Sequence, residues 1–129
     1  MTAGLDTSLL SELGELDDSG EGLLPRGLVE DYEMNRQKLV VDLRLGVQSG
    51  DLKKVEFAAH SLRSSSGGLG AKSAQLACEK LESYGREAWT IPHSEVEGML
   101  SHVETETRLA WIALTEYVAI HHPANPPAA

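Results

Sequence analysis

A histidine within a predicted helix is the residue of this chain best suited to carry out chemistry. Arg63 follows His60 by three positions, Ser64 by four and Gly67 by seven, so all four share one helical face. A neutral imidazole is a nucleophile that can hold a phosphoryl group on a ring nitrogen. A cation and a hydroxyl one turn away would stabilise the added negative charge. The spacing therefore makes His60 a candidate phosphoryl acceptor, with Arg63 and Ser64 as phosphate-stabilising residues.

The same residues also fit a helix that merely ends near an exposed histidine. Most solvent-facing histidines on helices have no chemical role, and the glycines at 67, 68 and 70 could serve only to terminate the helix. Residue spacing alone leaves both interpretations open.

Five helices are predicted to position this face. Apolar residues recur at helical spacing, and no segment alternates with the period of a strand. The predicted helices cover residues 7–16, 23–48, 52–69, 71–88 and 93–120. In the third, His60 lies off the apolar seam, which comprises Leu52, Val55, Ala59, Leu62, Ser66 and Leu69. The short connections predict an all-α fold, an up-down antiparallel four-helix bundle with a short additional N-terminal helix.

The chain is expected to form one domain between two flexible ends. We expect a flexible N-terminus at 1–4, the bundle at 5–120 and a disordered tail, rich in proline and alanine, at 121–129. Leu76, Leu109 and Ile112 are assigned to the core. Four leucines of the first two helices are assigned to the core as well, with docking of a partner as the alternative: Leu9, Leu13, Leu24 and Leu28.

Composition excludes several classes of function. The 129 residues carry 11 Lys and Arg against 20 Asp and Glu, a formal charge of −9, which opposes binding to nucleic acid. The single cysteine, Cys78, excludes an internal disulfide and a zinc finger. No apolar run is long enough to span a membrane, and no secretory signal precedes the first helix. We expect a reduced, cytoplasmic setting and no metal site.

The stretch from Ala59 to Gly70 resembles the signature of histidine-containing phosphotransfer (HPt) domains, written A-H-x-L-K-G-S-S-x-x-L-G. The matching positions are Ala59, His60, Leu62, Ser65, Ser66, Leu69 and Gly70. Residues 5–10, 49–52 and 76–82 also resemble the family's opening helix, the turn before the histidine helix and the helix after it. Two positions depart from the signature, because Arg63 replaces its lysine and Ser64 its glycine. Arginine keeps the charge but changes the geometry.

The resemblance implies a carrier in a two-component phosphorelay. An aspartyl phosphate on a response-regulator receiver domain would donate to His60, which would pass the group to a second receiver. The implied acceptor atom is Nε2, and Gln75 or Glu82 would orient the ring through Nδ1. Lys53, Glu56 and Gly67 are assigned to the surface that a partner approaches. Together with His60, Arg63 and Ser64 they form the predicted site.

Further expectations concern the surroundings of this carrier. We expect Mg²⁺ on the partner receiver and no cofactor on this chain, since only Glu56 lies within helical reach of His60. The partners would be receiver domains and a hybrid sensor kinase, without membrane insertion, and the chain would be a monomer of bacterial signalling without autokinase activity. Met1 and the proline-rich end favour a separate protein over a domain of a hybrid kinase. The alternative function is a non-catalytic module that sequesters or inhibits a receiver.

Overall fold

The fold consists of five α-helices joined by short connections. The computed structural model describes residues 5–123, and of these α1 covers Ser8–Leu16, α2 Leu23–Ser49, α3 Leu52–Gly68, α4 Lys72–Arg86 and α5 Val96–His121. Two 3₁₀ turns, Ala88–Thr90 and His93–Glu95, connect α4 to α5. The all-α class and the helix count predicted from the sequence are confirmed.

Helices α2 to α5 pack in a closed ring around one core. Each helix contacts the next along the chain, and α5 closes the ring by contacting α2. Every one of the four contributes a leucine with no more than 1% of its surface exposed, namely Leu43, Leu62, Leu81 and Leu100. Connections of two or three residues join α2 to α3 and α3 to α4, which makes these neighbours antiparallel.

Helix α1 lies over one end of the ring, where the chain before it is fixed by backbone pairing. The Asp6 amide donates to the Gly70 carbonyl at 2.7 Å, and Leu5 bridges to Ala71. Gly70 has φ +82°, and a Cβ at this position would collide with the Asp6 carbonyl, so glycine is required for this approach. Leu10 of α1 is fully buried.

The first turn of α1 is capped by a carboxylate. Asp6 Oδ1 accepts hydrogen bonds from the Ser8 hydroxyl at 2.6 Å and from the Ser8 amide at 3.0 Å. These bonds, the hydroxyl first, lower the pKa of the exposed Asp6 carboxyl. Of the two capping residues considered from the sequence, Asp6 and Thr7, the first therefore carries the cap.

Several leucines predicted to be buried are exposed. Leu76, Leu109 and Ile112 lie on the solvent faces of α4 and α5. Their core assignment is wrong because the phase of a position around its helix, and not its residue type, decides burial. The core assignment also fails for three of the four leucines on α1 and α2, since Leu9, Leu24 and Leu28 are exposed and Leu13 is half-buried.

The ends of the chain lie largely outside the described residues. The flexible N-terminus expected at 1–4 falls outside them, as does the tail from 124 onward. The end that can be described is helical through His121, one residue beyond the predicted end of the bundle. None of the described helices holds a stretch long and apolar enough to cross a membrane.

A pair of hydroxyl groups, from Tyr32 and Ser66, is buried inside the ring of helices. The Tyr32 hydroxyl and Ser66 Oγ lie 2.8 Å apart and share a hydrogen bond. Burial raises the pKa of Tyr32 to about 12. Burial, together with the charge of Glu82, likewise raises the pKa of the Cys78 thiol to about 12.

Candidate active site

Helix α3 presents His60 to solvent by burying the opposite side of the helix. The helix begins at a cap in which Asp51 Oδ1 accepts a hydrogen bond from the Lys54 amide at 3.1 Å. Its buried side carries Val55, Ala59 and Leu62. The imidazole of His60, on another side, keeps 52% of its side-chain surface exposed. The imidazole is thus accessible on a helix whose other side is packed in the core.

Helix α4 brings a buried carboxylate to the same place. Glu82 is only 8% exposed. The two helices approach closely here because Gly85 lies against Glu56, where an added Cβ would stand 2.5 Å from the Glu56 amide nitrogen. A larger residue at position 85 would push α4 away and withdraw Glu82 from α3.

Glu82 contacts the ring nitrogen that faces the protein. Its Oε2 lies 2.9 Å from His60 Nδ1, and because a carboxylate only accepts, this contact assigns the hydrogen to Nδ1. Arg63 Nη2 also lies 3.2 Å from Nδ1, but guanidinium only donates, so a hydrogen bond there would need the opposite tautomer. We assign the shorter Glu82 contact as the hydrogen bond. Nε2 then carries the lone pair, the form that a nucleophilic imidazole requires.

Two arginines neutralise the buried carboxylate. Arg63 Nε lies 2.7 Å from Glu82 Oε1, although its N–H is not directed at that oxygen, so the contact is an ion pair without a well-formed hydrogen bond. Arg86 Nη2 lies 3.1 Å from Oε2, and its Nε lies 3.2 Å from Glu56 Oε2. The buried charge is thereby compensated, which keeps Glu82 available as an acceptor for His60.

An open groove surrounds the imidazole. It is lined by Lys53, Glu56, Phe57, His60, Arg63, Glu82 and Arg86. The lining carries three cations, Lys53, Arg63 and Arg86, and two carboxylates, Glu56 and Glu82. Its formal charge is therefore +1 in a chain whose formal charge is −9, which favours an anionic reactant. Within residues 5–123 no three His, Cys, Asp or Glu side chains are grouped so that they could hold a metal ion.

Comparison with known proteins identifies the family. Residues 27–109 match the family model described as "Hpt domain", a range that includes α3, α4 and the groove. The chain belongs to the Hpt domain family. It is 31% identical over 81 residues to multistep phosphorelay regulator 1 of Schizosaccharomyces pombe, a match that covers 63% of this chain and 28% of the yeast protein. The chain thus spans under a third of that relative's length.

A solved structure supports the fold of this Hpt domain. Histidine-containing phosphotransfer protein B from Pseudomonas aeruginosa PAO1 aligns with a TM-score of 0.74 at 22% identity. The alignment covers 88% of this chain and 93% of the solved chain. At this identity the likeness establishes the helical-bundle architecture alone.

Most of the signature that marks the Hpt domain serves packing. Ala59, Leu62 and Leu69 are buried in the core, where the Ser66 hydroxyl also shares a hydrogen bond with the Tyr32 hydroxyl. Gly70 permits the pairing with Asp6. Of the signature positions, His60 and Ser64 are exposed, and Arg63 is half-buried beside the imidazole. The two departures from the signature, Arg63 and Ser64, therefore lie next to the histidine.

The structure brings some of the predicted site residues together and separates others. Lys53 and Glu56 line the groove. Ser64 is exposed, and no hydrogen bond joins it to His60 in the described part of the chain. Of the two predicted ring-orienting residues, Glu82 meets Nδ1, whereas Gln75 makes no hydrogen bond to the ring.

The missing side chain at Gly67 serves the neighbouring helix. A Cβ at Gly67 would lie 2.9 Å from the carboxamide carbon of Gln75. The approach of a partner over Gly67 stays a prediction, and the Gln75 side chain of α4 lies against the position where a side chain at 67 would begin. Gln75 thus packs against α3 one turn beyond Ser64 without touching the imidazole.

Sequence reasoning missed two residues of the groove, Arg86 and Phe57, and one residue beside it, Glu79. Arg86 lies four positions after Glu82, a spacing that favours an ion pair on a helix, so this contact could have been found. Glu79 Oε1 lies 3.9 Å from Arg63 Nη1. Phe57 is 70% exposed beside His60, and its position three residues before the histidine was the available signal.

Proposed function

We propose that this Hpt domain carries a phosphoryl group on Nε2 of His60 between aspartates of response-regulator receiver domains. The hydrogen bond from Nδ1 to Glu82 carries this proposal, because it leaves a lone pair on the exposed nitrogen. Membership of the Hpt family and the phosphorelay name of the fission-yeast relative support it. Since the chain spans under a third of that relative, the activity and partners of a longer protein are also proposals.

The transfer is a reversible substitution at phosphorus. The Nε2 lone pair attacks the phosphorus of an aspartyl phosphate, the bond from phosphorus to the aspartate oxygen breaks, and its electron pair stays on the carboxylate. The ring becomes cationic while Nδ1 keeps its hydrogen. Glu82, which accepts from Nδ1 at 2.9 Å, balances that positive charge. An aspartate of a second receiver then attacks the phosphorus, and the neutral ring is restored.

Arg63 and Ser64 are proposed to stabilise the phosphorylated form. The Arg63 guanidinium contacts Glu82 and Nδ1, so it must turn toward the phosphoryl oxygens after transfer. Arg86 remains on Glu82 when this happens, and the buried carboxylate keeps a cation. The exposed Ser64 hydroxyl, one turn from His60, can donate to a phosphoryl oxygen.

The partner is proposed to supply the metal and part of the docking surface. Phosphoryl transfer relies on positioning and on neutralising charge, and the acidic Mg²⁺ site would belong to the receiver. Phe57, together with Leu9, Leu24 and Leu28 of α1 and α2, would meet apolar side chains around that site. Lys53 and Glu56 would form a polar rim. A hybrid sensor kinase as phosphoryl source and a cytoplasmic, bacterial setting stay predictions. All residues that this chain contributes to the transfer belong to a single copy of it.

The sequestering module is the weaker alternative. A domain that only binds a receiver needs an accessible surface but has no use for a ring nitrogen fixed by a buried carboxylate. The orientation of His60 by Glu82 therefore favours the carrier.

A transfer assay separates the two functions. Receiver domains phosphorylated with acetyl phosphate are mixed with this chain, and acid-labile phosphate on the chain is followed by gel autoradiography and mass spectrometry. We expect transfer to wild type and none to His60→Gln, with receiver binding retained by the variant. If receivers bind the wild type but none of those tested transfers phosphate to it, the result would support sequestration and overturn the carrier.

A further inference from the structure

The outer side of α2 carries an apolar stripe that the proposed transfer does not use. Met34, Val41 and Leu45 are 72%, 55% and 49% exposed. At about 100° per residue, their mean direction is roughly opposite to that of the buried residues Val29 and Leu43. The stripe therefore points away from the core along nearly half of the longest helix.

The stripe also lies apart from the groove around His60. The groove is formed by α3 and α4 alone, whereas all stripe residues belong to α2. A molecule covering the stripe would therefore not cover the residues that line the groove.

We infer that the α2 stripe is a self-association surface, on which a second copy of this chain packs with its α2 antiparallel to the first. A twofold axis near residues 39 and 40 places Met34 of one copy against Leu45 of the other, and the reciprocal contact follows from symmetry. Val41 then packs against the aliphatic stem of Lys38 in the other copy. This pairing goes beyond phosphoryl transfer, and it revises the expectation of a monomer.

Charge on the edge of the stripe favours the antiparallel arrangement. Lys38 and Asp42 lie along the same edge of the stripe. In an antiparallel pair related by a twofold axis, this edge of one helix faces the same edge of the other. Lys38 of each copy then reaches Asp42 of the other. Neither residue takes part in an ion pair within residues 5–123, so both are available across the interface.

The local charge permits contact despite the net charge of the chain. Around the stripe, Lys38 is the outward cation without an ion pair in residues 5–123, because Arg44 is paired with Glu104 of α5. It stands against three anions, Glu30, Asp31 and Asp42, which gives a local charge of −2, compared with −9 for the whole chain. Repulsion between the more distant charges is screened over about 8 Å at physiological salt.

Sedimentation equilibrium over a concentration series tests the inference. The wild-type chain is expected to show a reversible monomer–dimer equilibrium. Its dissociation constant should lie below about 1 mM, a value typical of weak specific association. Val41→Asp should raise the dissociation constant at least about tenfold, since an unpaired carboxylate would be buried against apolar groups. Leu76→Asp is the matched control, because Leu76 is also exposed, at 59%, but lies on α4, and it should leave the dissociation constant unchanged.

A charge exchange tests the orientation. Lys38→Glu and Asp42→Lys should each weaken the dimer, and the double variant should restore it because both cross-copy pairs reform. A strictly monomeric wild type at about 1 mM, a dimer lost with Leu76→Asp but not with Val41→Asp, or no restoration by the double variant would overturn the inference. Phosphoryl acceptance by Val41→Asp is measured separately and should match wild type, so a failed transfer would not be confused with a failed dimer.

Discussion

At the scale of single residues, the proposed transfer depends on one contact between α3 and α4, the hydrogen bond between His60 and Glu82. In the proposed transfer, His60 supplies the nucleophile, and its hydrogen bond to Glu82 determines which ring nitrogen carries the lone pair. The sequence offered both Glu82 and Gln75 for this role, since they lie on the same helix and both side chains accept hydrogen bonds. Only the rotation of α4 against α3, fixed by the close approach of Gly85 to Glu56, decides between them.

Removal of the Glu82 carboxylate should slow phosphoryl transfer. We expect Glu82→Ala to reduce the rate of acceptance at least about tenfold, because a hydrogen bond to a charged group contributes about 1.5–3 kcal/mol and the ring is half exposed. Glu82→Gln, which can still accept from Nδ1, should recover part of the rate. Glu79→Ala is the control, since within residues 5–123 the one ion pair of Glu79 is with Arg63, at 3.9 Å. Equal losses for Glu79→Ala and Glu82→Ala would contradict the orienting role.

Ser64 poses a separate question, because the family signature has glycine there. If its hydroxyl donates to the phosphoryl group, Ser64→Ala and Ser64→Gly should both shorten the lifetime of the phosphohistidine about two- to tenfold, corresponding to a net hydrogen bond of about 0.5–1.5 kcal/mol. Decay of the isolated phosphorylated chain measures this. An unchanged lifetime with faster transfer in Ser64→Gly would instead show that the side chain obstructs the partner.

At the scale of elements, the position of α1 depends on the turn between α3 and α4. Gly70 combines a positive φ with the backbone contact to Asp6. This turn therefore ties the segment before α1 to the end of the histidine helix.

Substitution of Gly70 should destabilise the domain more than substitution of a comparable glycine. Gly50 has a similar φ of +72° but has nothing near its Cβ position, whereas a Cβ on Gly70 meets Asp6. Gly50→Ala should cost about 1 kcal/mol of unfolding free energy from backbone strain, and Gly70→Ala clearly more, up to about 3 kcal/mol. Urea unfolding followed by circular dichroism measures both. Equal losses would mean that the Asp6 contact contributes nothing.

The helices show which features of the fold could be predicted from the sequence. Helical periodicity predicted all five helices with ends within a few residues, since apolar spacing and the Gly50–Asp51 turn are local signals. It misplaced Leu76 and Leu109, because a helix with apolar residues on two sides does not reveal which side meets its neighbours. It could not foresee that Glu82 would be buried, since that depends on Arg63 and Arg86 converging from two helices.

At the scale of the whole molecule, one continuous core supports the site. Cys78 lies within that core beside α3, fully buried. Any motion that exposes it must open the bundle.

The Cys78 thiol should therefore report global unfolding. Its pKa is raised to about 12, so at pH 8 only about one molecule in ten thousand carries the reactive thiolate, and burial blocks the reagent as well. Reaction with Ellman's reagent at pH 8 should be slow in the native protein and fast in guanidinium chloride. Fast labelling under native conditions would show that α3 and α4 separate readily and that the groove is not rigid.

The location of the phosphoryl group tests the central claim most directly. The chain, labelled with ¹⁵N and phosphorylated by a phosphorylated receiver, is studied by ¹⁵N and ³¹P NMR of the imidazole. We predict a single phosphohistidine, at His60, with phosphorus coupled to Nε2 and the hydrogen kept on Nδ1. Phosphorus on Nδ1 of His60, or on another histidine such as His93 or His102, would contradict the account.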